Sequence, residues 1–159
     1  MNRGLRKYSL CVLGLIVAAL VFSIAPASAL MPPEVYAKAS RESKIKAIAT
    51  VVDVKVVLVG ERYTSKVVSF VLKYALEKGV PETFTGTCLS KDSEEQRANA
   101  MVGGDTYFYP HIGDTVFVTI QEKSGPITSM TPMTPELERV VREEPERLKY
   151  GVTEVFFEE

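Results

Sequence analysis

From Lys44 to Val59 apolar and polar residues alternate, and the phase of the alternation changes midway. In the first half Ile45, Ala47, Ala49 and Val51 oppose Lys44, Lys46 and Thr50; in the second, Val52, Val54, Val56 and Leu58 oppose Asp53 and Lys55. Alternation of this kind marks a strand. A phase change at Val51-Val52 is what one extra residue produces, so the pattern predicts a β-bulge that bends a long strand. Gly60 to Tyr63 reads as the turn into a second element, Ser65 to Leu76. That stretch fits two periods: alternation groups Val68, Phe70, Leu72, Tyr74 and Leu76, whereas helical spacing groups Val67, Val71, Tyr74, Ala75 and Lys78. Its β-branched and aromatic content favours the strand.

Gly79 to Pro81 makes a turn, and Glu82 to Leu89 a third, Thr-rich strand with Phe84, Gly86 and Cys88 on one face. Ser90 to Ala100 is polar, with Ser93 placed to cap a short helix opened by Glu94 and Glu95. After Gly103-Gly104-Asp105, Thr106 to Tyr109 reads as a short aromatic strand stopped by Pro110, and His111 to Asp114 as a turn. Thr115 to Gln121 is a strand with Val116, Val118 and Ile120 on one face; Ser124-Gly125-Pro126 turns the chain into Ile127 to Met130. Thr131 to Pro135 cannot be a central strand, because its prolines have no amide hydrogen to donate. Thr134-Pro135-Glu136 starts a helix whose apolar face is Leu137, Val140 and Val141, and Val152 to Phe157 is a candidate last strand. Near the other end, residues 32 to 43 suit a short helix opened by proline.

The pattern predicts a mainly β fold: a small OB-like β-barrel with a short helix between strands 3 and 4 and a C-terminal helix. A β-sandwich is the alternative. The expected core comprises Ile45, Ala47, Val54, Val56, Phe70, Leu72, Phe84, Val116, Val118 and Ile120.

Residues 1 to 29 have a different character. Arg3, Arg6 and Lys7 precede an uncharged run from Leu10 to Ala25; Pro26 then breaks any helix, and Ala27-Ser28-Ala29 supplies small residues for cleavage. This is the pattern of a cleavable secretory signal, and the 16 uncharged residues fall short of the ~20 that a spanning helix needs. The sequence thus predicts an exported, periplasmic or extracellular protein beginning at Leu30, with no stable membrane span after cleavage. Cys11 lies at the start of the uncharged run instead of ending it, and Tyr8-Ser9-Leu10 before it is not a lipobox, so it leaves with the signal. The expected organisation is a leader over 1–29, an OB-like barrel over 30–135 and an acidic C-terminal helix and tail over 136–159.

Charge narrows the range of partners. Of 19 basic residues the leader takes three, leaving 16 against 20 acidic ones, a net charge of −4. Leu30 to Pro135 balances at twelve of each sign, whereas the segment from Glu136 has eight acids and four bases. A neutral body offers phosphates no cationic field, so nucleic acid is not an expected partner. The expected partner is a protein or a small ligand in the cell envelope. After cleavage Cys88 is left without a second cysteine, so the domain must rely on its core.

The stretch Val67 to Cys88, VVSFVLKYALEKGVPETFTGTC, resembles the second strand, Lys-Gly turn and third strand of netrin-like domains related to tissue inhibitors of metalloproteinases, and Gly103-Gly104 before Tyr107-Phe108-Tyr109 extends the resemblance. It spans about half of the predicted mature chain. It implies an OB-like barrel and an interaction module. It does not imply protease inhibition, because the mature N-terminus lacks that family's cysteine and the chain lacks its disulfides.

Little in the chain calls for chemistry. His111 is the single histidine, so any Ser-His-Asp or Cys-His arrangement must recruit it from a turn between Pro110 and Gly113. The acids at Asp92, Glu94, Glu95, Glu143, Glu144 and Glu146 fall on polar segments and read as solvated faces. Gly103-Gly104 is too short for a phosphate loop, and no cofactor is expected. Met130 and Met133 are the candidate ligands for a soft metal such as Cu(I), a site that requires His111 or Met101 to fold beside them; the ordinary role of such methionines is packing. The leading expectation is a non-enzymatic exported binding or adaptor module. The alternatives are an enzyme whose site is not visible in the sequence and a methionine-based Cu(I)-binding protein.

Overall fold

A computed structural model describes residues 31–99 and 104–158. The expected leader lies outside them. Helix α1 (Pro33–Arg41) leads into β1 (Ile45–Val59), β2 (Thr64–Ala75) and β3 (Thr83–Ser90); the short helix α2 (Glu94–Ala98) follows, then β4 (Thr115–Ile120) and β5 (Ile127–Pro132). The chain ends with α3 (Pro135–Glu143), a 3-10 turn at Pro145–Arg147, β6 (Leu148–Tyr150) and β7 (Val155–Phe157).

The first five strands form one antiparallel sheet in the order β3-β2-β1-β4-β5. Its two edges meet at Thr87, which bridges to Pro126 in parallel and donates its amide to the Gly125 carbonyl at 2.9 Å. The ladder does not run on from there. The sheet curls with its edges joined in a seam at that one point but is not closed into the expected barrel; its strand order is compatible with an OB-like fold, and the fold is mainly β as the pattern predicts. Gly86 explains how the seam can form: a Cβ there would lie 2.8 Å from Ile127 Cγ1 and 2.9 Å from Ile120 Cδ1, so only hydrogen lets β3 approach β5 this closely.

The predicted bulge is present. Val51 pairs with Phe70 and Asp53 with Ser69, leaving Val52 as the extra residue. Before it, Ile45, Ala47, Ala49 and Val51 point inward and join Val68, Phe70, Phe84, Cys88, Phe108, Val116, Val118, Ile120 and Ile127 in the inner core. Phe70 and Phe84 stack there with ring centroids 5.2 Å apart. Val54 and Leu72 are half-buried against this core. Val56 corrects the expected core list: it keeps the inward phase of Val54 but is 49% exposed, because the strand has by then run past the end of β4.

A second core lies on the other face of the sheet, where Ile48 and Phe117 are covered by Leu137, Val140 and Val141 of α3 with Leu148 and Val155 of the β6–β7 ribbon. The last strand of this sheet ends at Pro132, and the residues from Pro135 onward pack back on it. Thr134 caps α3 by accepting the Leu137 amide at 3.1 Å. The predicted aromatic strand at Thr106 to Tyr109 needs correction. It is an extended segment with a single bridge, Tyr107 to Leu89, and one bond from the Phe108 amide to the Leu89 carbonyl; Pro110 stops it from pairing further.

Candidate interaction surface

Beyond the bulge β1 outruns β4 and becomes the edge of a three-stranded arm with β2 and β3, Asp53 to Val59 pairing with Ser69 to Thr64, which in turn pair with Thr85 to Ser90. Val56, Val57, Leu58 and Val59 are exposed, rising to 70% at Val59, and Val52 and Val71 are exposed at its base. Isolated exposed aliphatic residues are ordinary, but a contiguous group on a strand edge is not.

The arm is held at both ends. At its tip Gln96, itself buried, donates from Nε2 to the Gly60 carbonyl at 2.8 Å and to Thr64 Oγ1 at 3.1 Å. Its Oε1 accepts the Asp92 amide at 2.8 Å and completes a capping box with Ser93. Asn99 Nδ2 adds a bond to the Glu61 carbonyl at 3.1 Å, and Lys66 pairs with Asp92 at 2.9 Å. At the base, the turn after Pro110 crosses the edge of β1, where the Val51 amide donates to the Asp114 carbonyl and the Gly113 amide to the Val51 carbonyl. Helix α2 thus fixes the tip through hydrogen bonds, not apolar burial, and the aliphatic side chains stay in solvent. The spacing Ser93-Glu94-Glu95-Gln96 is a capping-box signature legible in the sequence; its second task, gripping the hairpin, is not.

The other candidate residues are dispersed. Cys88 is buried and free, lining an open cleft of about 270 Å³ with Asp105 and Phe108. Burial pushes its thiol up to about 11, against the opposing influence of Lys66, so it keeps its proton at neutral pH. His111 does not line that cleft. Its side chain is 78% exposed, with Nδ1 3.4 Å from Asp114 Oδ2 within its own turn. Met130 packs against the inner core and Met133 against the outer one, so the two methionines serve different clusters; Met101 lies outside the described residues. Among the described residues no group of three or more His, Cys, Asp or Glu side chains converges on a metal position. The C-terminal acids lie at the surface, and Glu138, Glu144 and Glu158 are paired; the guanidinium groups of Arg147 and Arg139 hold the Glu144 carboxyl below the usual range. A second cleft, about 370 Å³, lies between the Phe70–Phe84 stack and Lys123-Ser124 of the β4–β5 turn. No helix among the described residues is long and apolar enough to cross a membrane.

These features define a small OB-like domain with an exposed aliphatic arm. Comparison of the chain with protein-family models, with curated proteins and with solved structures found no match.

Proposed function

We propose that this chain is exported and acts as a non-enzymatic protein-binding module, with this arm as its recognition surface. The observation that carries the reading is the run Val56 to Val59, aliphatic and solvent-exposed on a hairpin whose tip is anchored by Gln96. Holding such side chains in water has no folding benefit, whereas a rigid exposed arm lowers the entropy lost on binding. The filled inner core favours the same reading, as does a protonated Cys88 separated from His111. Residues 1 to 29 support export, and intact-mass analysis of the exported material should give a chain starting at Leu30.

Capture from an envelope extract tests the module. Wild-type protein should retain a partner that is lost with a Val57→Lys, Leu58→Lys variant and kept with His111→Ala. Identical captured sets from wild type and the arm variant would remove the arm from the reading.

A further inference from the structure

The arm also has an unused backbone edge. From Ala47 to Thr50, β1 is paired on both sides, with β2 and with β4; from Asp53 to Val59 its ladder is with β2 alone. The turn at Gly113-Asp114 closes the outer edge at Val51, and among the described residues no segment bonds beyond it. Edge strands are normally protected by proline or by closely spaced charge. This one, VDVKVVLV from Val52 to Val59, has no proline, and its charges are Asp53 and Lys55. Both are exposed, and neither makes an ion pair among the described residues.

Resting on the arm as the recognition surface, we propose that its occupant is a second copy of this chain, paired antiparallel along the outer edge of β1 about a two-fold axis through Val54. Facing residues in an antiparallel pair share a face, so the axis of a symmetric pair must pass through a residue. Charge then selects which one. An axis through Asp53 sets Asp opposite Asp, and an axis through Lys55 sets Lys opposite Lys. Axes through Val56 or Val57 would leave Lys55 facing valine and would have to pair across Val57, where the β1–β2 register shifts a second time. The axis through Val54 sets Asp53 opposite Lys55 twice, Val52 opposite Val56 twice, and Val54 opposite itself. Because the Gly113-Asp114 turn occupies the edge at Val51, pairing runs from Val52 to Val56 on each copy. Past that point Val57 and Leu58 of one copy reach the same turn of the other, where Ile112 is 66% exposed. One register thus pairs both free charges, covers the aliphatic edge and accounts for an exposed isoleucine.

Sedimentation equilibrium on protein purified from an exporting host tests this, using Asp53→Lys and Lys55→Asp singly, mixed, and combined in one chain. Wild type should be a dimer. Each single variant should raise the dimer dissociation constant by about tenfold or more, because two facing pairs change from attractive to repulsive. An equimolar mixture of the two single variants should restore dimers, since every Lys then faces an Asp, and so should the double variant. Restoration on mixing also shows that both variants are folded. A wild type that is monomeric throughout, single variants that dimerise normally, or single variants that stay apart when mixed would each overturn the pairing. If wild type is monomeric but capture from extract still depends on Val57 and Leu58, self-pairing falls and the binding module stands; capture indifferent to those side chains removes the module too.

Discussion

Replacing Phe70 with alanine should separate the core of this domain from its arm. Phe70 is fully buried and faces Val51 on one neighbouring strand and Phe84 on the other, stacked on the latter at 5.2 Å. Because those neighbours are held in ladders on both sides, the space left by the ring cannot readily collapse, which puts the loss in the range of about 3 to 5 kcal/mol for such a truncation. Losing the stack pushes it toward the upper part of that range. The control is Val56→Ala. Val56 follows the same alternation as Val54, yet its exposure predicts a change within about 0.5 kcal/mol. Urea unfolding followed by circular dichroism reads both. With a slope of roughly 2 kcal/mol per molar, Phe70→Ala should lower the midpoint by about 2 M at unchanged slope, and Val56→Ala should barely move it. A loss below about 1 kcal/mol for Phe70→Ala, or equal losses for the two, would refute the division between core and arm.

Gly86→Ala should open the seam between β3 and β5, because its methyl would meet Ile127 and Ile120 at under 3 Å. A loss of about 1 to 3 kcal/mol is expected from such overpacking, with faster amide exchange at Thr87 as the local readout. Gln96→Ala removes the capping box and the grip on Gly60, and should cost about 1 to 2 kcal/mol while exposing the Gly60 to Thr64 amides to exchange. Cys88 should resist alkylation until denaturant opens the core. Its folded thiol sits at about 11 against 9.0 when unfolded, so between those values the unfolded chain releases the proton first and stability falls as pH rises. Cys88→Ala should abolish that part of the alkaline decline, seen by comparing unfolding midpoints at pH 8 and pH 10.5.

Local chemistry determined most of the elements. The change of phase at Val51-Val52 located the bulge, Ser93 and Thr134 marked two helix starts, and Pro110 limited what could pair beside it; Pro132, by contrast, is the last paired residue of the edge strand β5. Such signals need no tertiary information, because a cap, a proline or an alternating face is decided by residues a few positions apart. The short partner strand Leu148–Tyr150 was not legible for the same reason: three residues without alternation become a strand only because Val155–Phe157 returns beside them. Tertiary structure decided which apolar faces are covered. Ala47 and Val56 carry the same kind of signal in one strand, yet Ala47 is buried between β2 and β4, whereas Val56 lies beyond the reach of β4 and stays in solvent. Conversely Ile48, on the polar side of the alternation, is fully buried because α3 and the last two strands fold back over it. The alternating pattern says which residues share a face; where neighbouring strands and helices end decides whether that face meets protein or water, and the candidate interaction surface exists because β4 stops at Thr115 while β1 continues to Val59.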